Sequence, residues 1–186
     1  MQRIETPLPG VYELRPKVLQ DRRGFFMETY HRDRFAELGI SDIFIQDNHS
    51  RSAKGTLRGL HYQLHHAQAK LCRLVEAEAL DVAVDIRIGS THFGESASVR
   101  PTANDQNQIY IPAGFLHGFL APTDTVQFLY KCSDAYDPRD EHGILWNDPD
   151  IHISLDIASP RVSDRDSKFS KLTDVPRELL PRYSPK

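Results

Sequence analysis

Short β-prone segments, separated by turns rich in glycine, proline, aspartate and asparagine, recur along most of this chain. In residues 81–88 apolar and polar side chains alternate with the period of a strand, and residues 76–79 read as a tight turn. Helical spacing is evident in residues 31–40, where Phe35 and Leu38 lie three apart and Gly39 is a plausible stop. This pattern predicts an all-β sandwich or barrel, nearest to a jelly roll with short peripheral helices.

The size and charge of the chain restrict its class. With 186 residues, we expect one domain over residues 1–186, with a polar peripheral tail at 167–186. The net charge of −3 gives no footprint for nucleic acid or an anionic membrane, and no apolar run resembles a signal peptide or a membrane span. Cys72 and Cys132 lie in strand-like patterns and are expected to be buried, reduced thiols, so a cytoplasmic location is expected.

Several local predictions follow from the period of two. Residues 43–46 and 56–63 read as strands, with a polar loop between them over residues 48–55, and residues 153–157 read as a last short strand. In residues 25–30, Phe26, Glu28 and Tyr30 would share one face of a strand. Strict alternation would turn Arg58 and His61 to opposite faces, so a bulge or a strong twist, placed at Gly59, is required if both line one cleft.

The stretch Thr56–Lys70 has an unusual load of polar side chains for a strand and a short loop. It contains one arginine, three histidines and Lys70. Burying charge is costly unless the charge is paired or used. We therefore hypothesise that His61 is a base in a cleft and that Lys70 holds negative charge beside it, with His117 and Tyr130 supplying further acid–base groups. Spacing alone leaves open that these histidines are structural.

A metal site is not predicted. Residues 112–117, PAGFLH, have the form of the second motif of cupin barrels, whose histidine often binds metal. Such a site needs two more histidines one residue apart, but Gln63 stands where the second would be after His61. His65 and His66 are adjacent and would point to opposite faces of a strand, which breaks a three-histidine site. A cysteine nucleophile is not predicted either, because neither cysteine has an adjacent histidine that could activate its thiol.

An ordered set of segments resembles the dTDP-4-dehydrorhamnose 3,5-epimerase family of metal-free cupins. The segments span roughly residues 1–170: DRRGFFME from Asp21, QDNHS from Gln46, LRGLHYQ from Leu57, QAK from Gln68, LDVAVDIR from Leu80, YIPAGFLHGF from Tyr110, FLYK from Phe128 and GILWND from Gly143. The resemblance implies a cupin-type jelly roll that epimerises C3 and C5 of dTDP-4-dehydro-6-deoxy-D-glucose without a cofactor.

The resemblance also implies catalytic roles. His61 would remove the protons at C3 and C5, and Asp166 would fix its tautomer and stabilise the imidazolium. Tyr130 would return a proton from the opposite face, and Lys70 would stabilise the enolate oxygen at C4. Arg58 and His117 would line the same cleft.

The nucleotide end of the substrate would be held by a second group of residues. Tyr136 would stack on thymine, and the other members would be Arg23, Phe26, Glu28, Gln46 and Asn48, together with Asp47, Glu141 and Arg165. The resemblance further implies a homodimer in which N-terminal strands cross to the partner subunit.

This chain departs from the family pattern at three positions. Ala135 stands where an aromatic residue is common, Ala77 where a glycine is common in the turn, and Arg165 where a lysine is frequent. An alanine at a position with positive φ would add strain. The alternatives are an epimerase that acts at one carbon only or on a related dTDP-4-keto sugar, a non-catalytic barrel that binds a sugar nucleotide, and a metal-dependent cupin oxygenase.

Overall fold

The fold, seen in a computed structural model that describes residues 1–184, is built almost entirely from antiparallel strands. One short helix, α1 (Arg32–Glu37), follows the first four strands. The strands are β1 (Gln2–Glu5), β2 (Tyr12–Arg15), β3 (Val18–Asp21), β4 (Gly24–Met27), β5 (Gln46–Ala53), β6 (Leu57–Gln63), β7 (Lys70–Glu76), β8 (Leu80–Asp85), β9 (Ser96–Val99), β10 (Gln108–Ile111), β11 (Phe115–Leu120), β12 (Thr125–Cys132) and β13 (Glu141–Gly143).

Two sheets face each other and form the barrel. The six-stranded sheet has the order β1-β2-β10-β7-β12-β5, and the five-stranded sheet has the order β13-β6-β11-β8-β9. Neighbours in these orders are mostly distant in the chain, so the sheets are joined by crossovers. The all-β, cupin-type jelly roll expected from the sequence is confirmed. That it forms one domain over residues 1–186 stays a prediction.

The core follows from the period of two along the strands. Side chains such as Cys72, Ile109 and Phe128 fill the space between the sheets. Strand β8 is buried on both faces, because Val82 and its even-numbered neighbours pack into a second cluster behind the five-stranded sheet. Three 3-10 turns follow Arg165, and Leu172 and Leu180 in this segment are buried in the second cluster.

The predicted bulge in β6 is present. Strand β11 pairs His117 with His61 and Phe119 with Arg58, so two residues of β6 stand opposite one residue of β11. Gly59 lies at this position with a φ of +113°. A Cβ on Gly59 would lie 2.8 Å from the Cα of Gly118, so the two backbones approach too closely for a side chain. The bulge turns Arg58 and His61 toward one cavity.

Some local predictions were wrong. The supposed polar loop at 48–55 is largely strand β5, which is paired along its whole length with β12. Strand β5 lies at the edge of its sheet and can carry polar side chains on its outer face. Its sequence therefore does not show the alternation of apolar and polar residues that marks a strand. Residues 153–157 form no strand, and β4 ends at Met27, before Glu28 and Tyr30. The turn at Glu76–Ala79 and the end of α1 before Gly39 are confirmed.

The β3–β4 hairpin stands apart from both sheets. Within residues 1–184 its two strands pair only with each other, and the exposed fractions of the Phe25 and Phe26 side chains are 56% and 71%. No helix of the described chain is long and apolar enough to span a bilayer. Cys72 and Cys132 are both free and buried, as predicted.

Candidate active site

A cavity of about 640 Å³ opens between the two sheets. Strands β6 and β11 supply Arg58, His61 and His117 from the five-stranded sheet, while β7 and β12 supply Lys70 and Tyr130 from the other sheet. Its remaining predicted residues are Gln46, Asn48, Tyr136, Glu141, Arg165 and Asp166. The barrel thus brings residues that are far apart in sequence to opposite walls of one cavity.

His61 and Asp166 form a hydrogen-bonded pair in this cavity. Nε2 of His61 lies 2.9 Å from Oδ1 of Asp166, whose other oxygen accepts a hydrogen bond from the Gly59 N–H at 3.3 Å. Asp166 is 4% exposed. The His61 ring also contacts the edge of Phe169, with ring centroids 5.7 Å apart. These contacts fix the orientation of the imidazole.

Asp166 is held in its ionised form. Burial by itself would raise its pKa, but the hydrogen bond and the charge of His61, with further hydrogen bonds from Ser163 and Gly59, hold the pKa at about 2. An ionised carboxylate only accepts hydrogen bonds, so Nε2 of His61 carries the proton in this pair. When the ring is neutral, Nδ1 is the nitrogen that can take a proton, and Glu141 Oε1 lies 3.7 Å from it.

Glu141, Arg165 and Tyr136 form a polar group next to His61. The Tyr136 hydroxyl donates to Oε2 of Glu141 at 2.9 Å, and Nη1 of Arg165 pairs with the same oxygen. Nη2 of Arg165 lies 3.4 Å from Nε2 of His61. The Tyr136 N–H donates to the side-chain oxygen of Gln46 at 2.9 Å, which ties the ring to β5. Tyr136 is 47% exposed, so its ring remains open to a ligand.

Tyr130 lies on the opposite sheet from His61. It pairs with Asn48 on β5 and with Cys72 on β7, in the middle of the six-stranded sheet. Burial raises the pKa of its phenol to about 12, with smaller contributions from Cys132, Cys72 and Glu141. The phenol is therefore protonated at neutral pH and can donate a proton into the cavity.

Burial in the cavity wall favours the neutral form of the His117 imidazole. Burial lowers the pKa of His117, and the neighbouring Asp81 carboxylate opposes this effect only in part. Nε2 of His117 lies 2.8 Å from Oδ1 of Asp81. The two aspartates of β8 have different partners: Asp81 positions His117, while Asp85 pairs with Arg87.

Four predicted site residues do not reach the cavity within this chain. Arg23, Phe26 and Glu28 lie on or just after the β3–β4 hairpin, where Arg23 pairs with Asp21 and Glu28 with Arg34. Asp47 points to the outer face of its sheet, because alternation on β5 places its neighbours Gln46 and Asn48 inside; it pairs with Lys131 instead.

Sequence reasoning missed other cavity residues. Phe119 lies two residues after His117 on β11, so alternation could have identified it. Ser50 follows Asn48 on the inner face of β5, and its buried hydroxyl has no hydrogen-bond partner within residues 1–184. It was missed because β5 was taken for a loop. Arg161 and Ser163 also line the cavity, and no local sequence signal marks either one.

Gln63, which stands where a metal-binding histidine would be, has a structural role. Its side-chain nitrogen donates to the carbonyl oxygens of His66 and Ala135, and its oxygen accepts from the N–H of Asp137. The backbone N–H groups of His65 and His66 are bound by the Asp140 carboxylate. Neither histidine side chain lines the cavity. The three-histidine arrangement is therefore broken in three dimensions as well.

Comparisons with known proteins agree with this geometry. The sequence profile of dTDP-4-dehydrorhamnose 3,5-epimerase matches residues 5–174. The dTDP-4-dehydrorhamnose 3,5-epimerase of Shigella flexneri is 46% identical over 177 residues, which cover 94% of this chain and 98% of the relative. The structure of dTDP-6-deoxy-D-glucose-3,5-epimerase from Legionella pneumophila, in complex with dTDP-4-keto-L-rhamnose, superposes with a TM-score of 0.96 at 41% identity and covers 99% of both chains.

Another similar solved structure is named as an epimerase of a different specificity. ChmJ, a 3′-monoepimerase from Streptomyces bikiniensis in complex with dTDP-quinovose, superposes with a TM-score of 0.88 at 35% identity over 96% of this chain and 93% of ChmJ. The profile match and the identity to curated relatives, over nearly the whole chain, decide the assignment. This chain belongs to the dTDP-4-dehydrorhamnose 3,5-epimerase family.

Proposed function

We propose that this chain epimerises C3 and C5 of dTDP-4-dehydro-6-deoxy-D-glucose to give dTDP-4-dehydro-L-rhamnose, without a cofactor. The observation that supports this most is the placement of His61, oriented by Asp166, and of Tyr130 on opposite walls of one cavity. Inversion of a stereocentre needs a base on one face of the sugar and an acid on the other. Two opposed walls supply both.

The proposed step begins at a carbon beside the C4 ketone. His61 takes the proton through Nδ1, the electrons of the broken C–H bond form the enolate double bond, and the carbonyl electrons move to O4. The ammonium group of Lys70, which lines the cavity, would stabilise the negative oxygen. Tyr130 then gives its proton to the same carbon from the other face, and the sequence repeats at the second carbon.

Both acid–base groups must be reset before the next inversion. After one inversion His61 is an imidazolium and Tyr130 is a phenolate, so one proton returns from His61 to solvent and one from solvent to Tyr130. Asp166 and Glu141, at 2.9 and 3.7 Å from the two ring nitrogens, would stabilise the imidazolium while it exists.

The nucleotide would lie at the side of the cavity formed by Gln46, Asn48, Tyr136, Glu141 and Arg165. The half-exposed Tyr136 ring supports stacking on thymine. Arg165 supports binding of the diphosphate, because its guanidinium is permanently charged and forked. Arg58, whose Nε donates to the Ser52 hydroxyl at 2.9 Å, would contact the sugar side.

We propose that the active form is a homodimer in which the β3–β4 hairpin of one subunit enters the nucleotide end of the other. The exposed Phe25 and Phe26 support this, because two large apolar side chains on a projecting hairpin are rarely left in water. Arg23, Phe26 and Glu28 would then reach the partner's ligand. The free, buried thiols support a reducing, cytoplasmic location.

The second candidate function is inversion at one carbon only. The similarity to the 3′-monoepimerase ChmJ supports this candidate. NMR of the product decides between the two candidates. Incubation with dTDP-4-dehydro-6-deoxy-D-glucose is expected to give a sugar inverted at both C3 and C5, while the second candidate gives a sugar inverted at one. Binding of dTDP with an unchanged sugar would identify a non-catalytic barrel and refute the proposal.

A further inference from the structure

Three buried side chains with metal-binding atoms meet in the barrel interior. Cys72 on β7 belongs to the six-stranded sheet, while Asp81 on β8 and His117 on β11 belong to the other sheet. One atom of each lies within 4.8 Å of the others, and the residues are 0%, 0% and 7% exposed. Cys72 has no part in the proposed proton transfers.

Asp81 has an unused oxygen in this cluster. Its Oδ1 lies 2.8 Å from Nε2 of His117, but Oδ2 is buried and has no hydrogen-bond partner among the described residues. An unpaired buried carboxylate oxygen is costly, because it has lost water without gaining another partner. A cation bound here would give this oxygen a partner.

We propose that Cys72, Asp81 and His117 form a binding site for one thiophilic divalent cation, with Zn²⁺ as its best occupant. A thiolate, an imidazole and a carboxylate are ligands that zinc accepts together. This set shares His117 with the broken three-histidine arrangement but uses neither His61 nor position 63.

The atomic separations are close to those that zinc requires. In a tetrahedral site with bonds of about 2.0–2.3 Å, ligand atoms lie roughly 3.3–3.6 Å apart. Here Sγ of Cys72 lies 4.0 Å from Nε2 of His117, and that nitrogen lies 2.8 Å from Oδ1 of Asp81. A cation bound by Nε2 and by the unpaired Oδ2 would replace the hydrogen bond between His117 and Asp81. Small side-chain rotations would bring all three atoms to one centre.

Binding must displace protons. Burial raises the pKa of the Cys72 thiol well above its usual value, so the thiol is protonated in the empty site. The cation would displace this proton, and the proton of the neutral His117 ring would move to Nδ1 so that Nε2 can bind. The charged or titratable groups that face these ligands are Lys70, which opposes a cation, together with His61 and Cys132.

A cation in this site would also affect the proposed epimerisation. This effect depends on the proposed function, whereas the binding itself does not. The cation would hold His117 and place positive charge beside Lys70 in the wall of the substrate cavity. Zn²⁺ is therefore expected to inhibit turnover reversibly, with recovery after addition of a chelator.

The test uses the full chain, freed of metal by a chelator, with ZnCl₂ as the titrant and CoCl₂ as the spectroscopic probe. Cys72→Ala removes one ligand, and Cys72→Ser keeps a side chain of similar size with a poor zinc ligand. Cys132→Ala is the matched control, because it also removes a buried thiol from the same sheet. Thermal melting confirms that each variant is folded before binding is measured.

We expect the native chain and Cys132→Ala to bind one equivalent of Zn²⁺, and their Co²⁺ forms to show a thiolate-to-cobalt charge-transfer band. Both Cys72 variants should lose the band and bind Zn²⁺ at least about tenfold more weakly. A native chain without the band, or a folded Cys72→Ala that binds as tightly as the native chain, would overturn the proposal. Absence of epimerase activity would leave both binding readouts intact, so the two proposals fail separately.

Discussion

Nε2 of His61 on β6 lies 2.9 Å from Oδ1 of Asp166, although 105 residues separate them in the chain. Asp166 begins a 3-10 turn after the last strand, and the close approach of that turn to Gly59 places its carboxylate against the imidazole. The C-terminal segment therefore completes a site whose walls are made by the barrel. The following predictions test the consequences.

Asp166→Asn should lower kcat on the order of 10³-fold, because an amide can also donate to His61 and so no longer fixes its tautomer. KM should change little, since Asp166 is proposed to act through His61 rather than on the substrate. Asp164→Asn, an exposed neighbour, is the matched control and should keep native kinetics. Equal losses in both variants would contradict the assigned role.

Tyr130→Phe should separate proton removal from inversion. His61 can still remove the proton, so loss of one substrate proton to solvent should persist, while inverted product falls by about 10²-fold or more. NMR of the sugar in D₂O measures both. The control is Tyr183→Phe, an exposed tyrosine over Arg87 on another face of the barrel. Inversion at the native rate in Tyr130→Phe would exclude Tyr130 as the acid.

Acid stability should depend on Asp166. Its pKa is about 2 in the folded chain, below the usual value of 3.8, so its ionised form stabilises the fold above about pH 4, and this contribution is lost as pH falls toward 2. The contribution is on the order of 2 kcal/mol. Urea unfolding between pH 5 and 2.5 should show a steeper loss of unfolding free energy for the native chain than for Asp166→Asn. Parallel curves would contradict this account.

Ala77→Gly should stabilise the chain by roughly 0.5–1 kcal/mol, because Ala77 has a φ of +64° in the turn between β7 and β8. Ala36→Gly, at an exposed position of helix α1, should have the opposite effect, since glycine disfavours a helix. The free energies of unfolding in urea test both signs. Destabilisation by both substitutions would show that Ala77 is not strained.

The dimer proposal predicts complementation between two inactive chains. One carries His61→Ala, and the other carries Arg23→Ala with Phe26→Ala. If the hairpin crosses to the partner subunit, each mixed dimer contains one intact site, so an equal mixture should recover about a quarter of the native sites. The unmixed proteins are the controls. A mixture no more active than their sum, with dimers shown to exchange, would contradict the crossing.

The sequence predicted the inner wall of the barrel better than its edges. Residues such as Cys72 and Phe128 alternate with outward residues in central strands, so the period of two identified their faces. Strand β5 was mistaken for a loop because an edge strand with polar residues on both faces lacks that signal. The break in alternation at Gly59 could be predicted, since Arg58 and His61 share a cavity only if a bulge or a strong twist intervenes, and the structure has the bulge.

The site residues that lie far from His61 in the sequence could not be predicted from the spacing of residues along the chain. Asp166 and Glu141 reach His61 through long connections, and their roles were expected only from the family resemblance. Ser50 was hidden by the error in β5, and the cluster of Cys72, Asp81 and His117 forms across two sheets, which no local pattern shows. Three-dimensional convergence of this kind depends on the whole topology.

The central claim is that protons leave and return at both carbons beside the ketone. It is tested most directly by incubating the native chain with dTDP-4-dehydro-6-deoxy-D-glucose in D₂O and following C3 and C5 by NMR. We predict deuterium at both positions in the inverted product, and none with folded His61→Ala. A native chain that leaves both positions unlabelled would contradict the proposed function, and label at one position alone would show a single-site epimerase.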